Sequence, residues 1–153
     1  MDHKLLKENS ILTIKNKDYS VLTMSIFTVD SDPDGSYIKM LLSDNHVLCI
    51  GSSEGDSWQF GKIIDAVPYD YPTPDVFEYD SKTYHKTSSA YQIVKQLVFG
   101  DSLLAEGEVK FIDYATDDES SLISVGVVVR TGERADVLLK NIDKSEVKLK
   151  EIK

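Results

Sequence analysis

The sequence predicts a mainly β protein, an antiparallel sandwich or half-open barrel built from two related β-meander halves, with little helix. Three observations carry this. Short runs with period-two alternation or a high content of β-branched residues are divided throughout by polar turn clusters. The densest pair, Glu108–Tyr114 and Ser121–Arg130, flanks the break Thr116-Asp117-Asp118-Glu119-Ser120 and reads as a long hairpin, the central ribbon of a sheet. A fainter copy of the same order of elements precedes it in the chain.

Residues 1–10 read as a short helical turn or loose arm. Ile11–Ile14 is a strand, Lys15-Asn16-Lys17-Asp18 a turn, and Tyr19–Val29 a second strand with Tyr19, Val21 and Thr23 on one face. Asp30-Ser31-Asp32-Pro33-Asp34-Gly35-Ser36 has the composition of a turn with Pro-Asp-Gly at its tip. Tyr37–Leu42 and Val47–Ile50 make the next hairpin around Ser43-Asp44-Asn45-His46. The small-residue loop 51–57 follows, and Trp58–Val67 holds one more strand. The three prolines of Pro68-Tyr69-Asp70-Tyr71-Pro72-Thr73-Pro74 favour an extended strap. They divide one compact domain into a first half (1–67), the strap (68–75) and a second half (76–153).

Beyond the strap the pattern restarts. Val76-Phe77-Glu78-Tyr79 and the turn Asp80-Ser81-Lys82-Thr83 before Tyr84 repeat Ile11–Ile14 and the turn before Tyr19. Lys110-Phe111-Ile112 answers to Lys39-Met40-Leu41, Ser124-Val125-Gly126 to Cys49-Ile50-Gly51, and Lys140–Asp143 to Lys62–Asp65, in unbroken order. Ser89–Val98 fits a helix, with Ala90, Ile93, Val94, Leu97 and Val98 on one face. Its counterpart Ser25–Val29 is strongly extended, which favours strand. Ala135–Ile142 and Val147–Ile152 close the chain as strands, and Lys148 and Lys150 suit a sheet edge.

A chain of 153 residues buries roughly 70% of the surface its extended form exposes and needs no staples. The single cysteine, Cys49, lies inside Val47–Ile50 and reads as a small buried hydrophobe in a reducing compartment. Met1–Asn9 lacks the apolar centre of a signal peptide, and nowhere is there an apolar span of about 18 residues. The expectation is a cytoplasmic protein without membrane insertion. A net charge of −9, with arginine only at Arg130 and Arg134, argues against nucleic acid and against bare anionic membrane.

The segments Phe77–Tyr84, Phe111-Ile112-Asp113-Tyr114 and Ser121-Leu122-Ile123-Ser124-Val125 resemble a bacterial family, domain of unknown function 4178. The first half fits the same template at Asn16-Lys17-Asp18-Tyr19-Ser20-Val21. The family's glycine at the strand start is replaced here by Ser81 or Lys82, and Val125-Gly126 stands where a Glu follows the serine. The resemblance implies a mainly β cytoplasmic protein without an established activity. It also implies an accessory role tied to membrane stress, from the genes that neighbour such proteins. It carries over no functional residues.

Several motifs invite chemistry. Asp30, Asp32 and Asp34 before Gly35 copy the first half of a calcium loop, but its twelfth position is Leu41 rather than Glu. Gly51-Ser52-Ser53-Glu54-Gly55 spells a nucleophile elbow at Ser53, yet no helix follows and His85 is the one downstream histidine. His3, His46 and His85 with one cysteine offer no metal spacing, so neither metal nor cofactor is expected. Aromatic residues crowd the strap, and Trp58, Tyr69, Tyr71 and Phe77 form a candidate partner surface in aromatic-and-proline context.

These observations favour a non-catalytic protein-interaction or accessory module with an unidentified protein partner; uncovered strand edges allow a homodimer. The alternative is a small-ligand binder using a cleft where the halves meet, which a deep pocket would favour. A hydrolase using Ser53, or the acidic pair Asp117 and Asp113, is the third reading.

Overall fold

The computed structural model describes residues 5–29, 32–51, 57–100, 108–129 and 131–150. They form eleven strands: β1 (Ile11–Ile14), β2 (Lys17–Val29), β3 (Asp32–Leu42), β4 (His46–Gly51), β5 (Ser57–Ile64), β6 (Val76–Tyr79), β7 (Lys82–Phe99), β8 (Glu108–Ala115), β9 (Leu122–Val128), β10 (Arg134–Asn141) and β11 (Val147–Lys150). Helix among these residues is confined to 3-10 turns such as Ser43–Asn45 and Lys144–Glu146. The mainly β, antiparallel architecture expected from the sequence is the one observed, and Ser89–Val98 lies within the long strand β7 rather than in a helix.

Pairing is antiparallel throughout, in the order β11-β1-β2-β3-β4-β5-β10-β9-β8-β7-β6, with a further pairing of β2 to β7. That pairing closes eight strands, β2 to β5 and β7 to β10, on themselves as a barrel, which abolishes most free edges. Two strands do double duty. The start of β2 pairs with β1 and its end (Met24–Val29) with β7. The start of β7 pairs with β6 and its end (Gln92–Phe99) with β2. Strands β1 to β5 and β6 to β10 therefore repeat one topology, and they meet along two seams, β2 with β7 and β5 with β10.

Both faces of β4 and of β9 are buried, which explains why these two strands read as near-continuous apolar runs. On the outer face of the first half, Leu12, Ile14, Tyr19, Met40, Leu48 and Trp58 pack under β1 and β11. On that of the second half, Phe77, Tyr84, Tyr114, Ile123 and Val125 pack with Val67, just before the strap, and with Tyr71 of the strap. The inward face carries Phe27, Val109 and Phe111 in one cluster and Val47, Cys49, Val137 and Leu139 in another.

Among the described residues the turns match the sequence except in one place; the expected loop 51–57 lies mostly outside them. Lys15 and Asn16 both have positive φ, as do Asp80 and Ser81, so the two hairpins expected to correspond share a primed turn geometry. In the β8–β9 turn, Asp118 accepts from Ser120 N–H, Ser120 Oγ and Thr116 Oγ1, and these donors hold its carboxyl down at about 2. Asp32-Pro33-Asp34-Gly35, however, is not a hairpin tip. Phe27 pairs with Tyr37 but Val29 with Asp32, so one residue of β2 faces four of β3, and the Pro-Asp-Gly segment is accommodated as a wide irregularity inside the strand. Asp30, the first residue of the expected calcium-loop pattern, lies outside the described residues, as do Ser53 and His3.

Candidate functional site in the barrel lumen

Alternation along the closed strands sends every second side chain inward, and the inward set is less apolar than a sealed core would be. On β3 the inward residues are Tyr37, Lys39 and Leu41; on β4, Val47 and Cys49; on β8, Phe111 and Asp113; on β9, Leu122 and Ser124. Between them lies a cavity of about 400 Å³ with walls from both halves. Thr87 joins its lining from β7, where the register shift between Lys86 and Ser88 places an extra residue.

The cavity's two charges are handled differently. Lys39 is only 5% exposed. Its Nζ sits 4.7 Å from the centre of the Phe111 ring and 5.7 Å from that of Phe27, within cation–π range of both. Among the described residues no carboxylate reaches it within 4.0 Å. Directly across the strand pair stands Ser25, 3% exposed, whose Oγ has no hydrogen-bond partner among the described residues. Asp113, by contrast, accepts from Ser124 Oγ (2.8 Å) and Ser88 Oγ (3.1 Å).

Cys49 pairs across the sheet with Lys39 on one side and Gln59 on the other. Burial pushes its thiol upward from the usual range; Lys39 pulls it down and Asp113 pushes it further up, both less strongly than burial. The protonated thiol is therefore the folded-state form, and Cys49 is not set up as a nucleophile. The stability this carries is complete below the unfolded thiol's pKa and is lost as pH rises through the folded value. At about pH 8, iodoacetamide should modify native protein at least about tenfold more slowly than urea-unfolded protein. Above about pH 9 the urea midpoint should fall more steeply in wild type than in Cys49→Ala. Equal alkylation rates would show an accessible thiol instead.

The four residues proposed as a partner surface do not form one. Trp58 (8% exposed) belongs to the outer core of the first half and Phe77 (4%) to that of the second, with the Phe77 ring 4.5 Å from Tyr114. Tyr71 is half-buried against the same second cluster; Tyr69 alone is exposed, at 39%. The strap folds back over the second half, so its aromatic crowd is packing. Asp113 and Asp117 likewise serve separate purposes. Asp113 faces the lumen, while Asp117 Oδ1 lies 3.1 Å from His85 Nε2 beside the β8–β9 turn. The ring of His46 stacks on Phe60. Among the described residues, no three His, Cys, Asp or Glu side chains are placed to hold a metal ion, and no helix is long and apolar enough to cross a membrane.

Sequence reading passed over Lys39, Ser25, Gln59 and Ser124. One signal was present: Lys39 is the lone charge in the apolar run Tyr37–Leu42. No family model matches the chain, and no curated protein or solved structure matches it.

Proposed function

We propose that the protein is a non-catalytic small-molecule binder that holds its ligand in the barrel lumen, where the two halves meet. The observation that carries this is the cavity itself. Its volume of about 400 Å³ is in the range of small-ligand sites, and its walls come from both halves and mix apolar side chains with polar groups that converge on it. The lumen brings together a cation, a carboxylate already served by hydroxyls, and a protonated thiol, a set suited to orienting a molecule rather than cleaving one. An interaction module presented through the strap aromatics loses its support, because Trp58 and Phe77 are core residues.

Gln59→Trp tests the reading, because Gln59 lines the cavity and is half-buried, so an indole there takes up ligand space without entering the outer cores. A fragment library screened by ligand-observed NMR should give hits on wild type that Gln59→Trp removes at an unchanged melting temperature. Hits shared equally by both proteins, or none on wild type, would end the reading.

A further inference from the structure

Resting on that reading, we infer that the lumen selects a small organic acid, its anionic head docked between Lys39 Nζ and Ser25 Oγ and its apolar body laid along Phe111 and Leu139. The argument begins with the cost of the arrangement. An ammonium removed from water is unfavourable unless paired and hydrogen-bonded, and two ring faces replace only part of its hydration. Ser25 adds a buried hydroxyl with nothing to bond among the described residues, on the same inward face and directly opposite Lys39, next to the residues that line the cavity rather than among them. A carboxylate would satisfy both at once, through a charge-assisted hydrogen bond from the ammonium and one from the hydroxyl.

A cationic ligand fits poorly. It would meet Lys39; the one carboxylate of the lining, Asp113, keeps its charge but already accepts hydrogen bonds from Ser124 and Ser88. The same placement orients an acid, with its head at β3 and its uncharged end toward β8 and β9. Leu122 and Leu139 supply the apolar wall.

The test uses three probes with one body and three heads: 4-phenylbutyrate, 4-phenylbutanol and 4-phenylbutylamine, titrated calorimetrically into the full chain at neutral pH. The acid should bind about tenfold more tightly than the alcohol, and the amine most weakly. Lys39→Met should bring the acid to the level of the alcohol while leaving the alcohol unchanged, and Ser25→Ala should weaken the acid several-fold. Lys39→Met should also raise the melting temperature of the ligand-free protein, since it removes a buried charge lacking a carboxylate partner, whereas a lysine with a structural role would lower it. If Lys39→Met does not melt cooperatively, Lys39→Gln and Ser25→Ala carry the comparison. Equal affinities for acid and alcohol, or a preference for acid that survives substitution of Lys39, overturn the assignment while leaving the lumen a binding site. Binding of none of the three, together with no difference between wild type and Gln59→Trp in the fragment screen, overturns the binding function itself.

Discussion

Gly61→Ala is expected to cost at least about 4 kcal/mol, a large share of what a domain of this size has. Gly61 sits on β5 opposite Leu139 of β10, in the seam that joins the two halves. A Cβ at this position would lie 1.7 Å from the carbonyl oxygen of Leu138, 2.7 Å from its carbonyl carbon and 2.9 Å from the Cα of Leu139. All three are backbone atoms, so no rotamer change relieves the clash. The strands must part, and six consecutive residue pairs of the β5–β10 ladder depend on their approach. Gly132→Ala is the matched control. It lies in a turn at φ +74° with nothing within 4 Å of the added carbon, so only the left-handed backbone is penalised, by about 1–2 kcal/mol. Urea unfolding with unchanged m-values would measure both. A Gly61→Ala midpoint within reach of the Gly132→Ala midpoint would mean that the seam does not hold the halves together.

That seam shows where sequence reading stops. The strands themselves were legible because β-branched and alternating runs are local, and the two primed turns at Lys15-Asn16 and Asp80-Ser81 repeat visibly between the halves. The pairing of β2 with β7 was not, because it joins residues about seventy positions apart through backbone groups that leave no local pattern. Pro33-Asp34-Gly35 announced irregular backbone correctly but not its kind; composition fits a strand bulge as well as a hairpin tip. Lys39 was hidden by the same feature that made β3 easy to find. When both faces of a strand are buried, alternation no longer tells lumen from outer core, and a charge between Ile38 and Met40 carries no mark of which face it serves. Trp58 and Phe77 failed for a related reason. Aromatic density located the strap without saying which side of it faced water.

Asp136→Ala is the second large effect, at about 3–5 kcal/mol, the range for breaking a buried ion pair from one side. The Asp136 side chain has no exposed surface. It accepts from Arg134 Nε and from a terminal guanidinium nitrogen at 2.9 Å each, and from the backbone N–H of Val67 at 2.9 Å. Arg134 in turn donates to the carbonyl oxygens of Tyr69 (2.7 Å) and Val67 (3.4 Å). One fork on β10 thus fastens the beginning of the strap, while Tyr114 fastens its end by donating to the carbonyl of Pro74. Alanine at 136 leaves the guanidinium without its carboxylate and the Val67 N–H without an acceptor, so the loss exceeds what the pair itself contributes. Arg134→Met with Asp136→Leu should recover most of the stability, because an apolar pair leaves no buried charge, though the strap carbonyls lose their donor. Hydrogen exchange separates the two effects. In the double variant the barrel amides of β5 and β10 should keep their protection, while the Val67 and Tyr69 amides exchange faster. If Asp136→Ala unfolds within about 1 kcal/mol of wild type, the fork is an incidental contact, and the strap is held by Val67, Tyr71 and Phe77 packing alone.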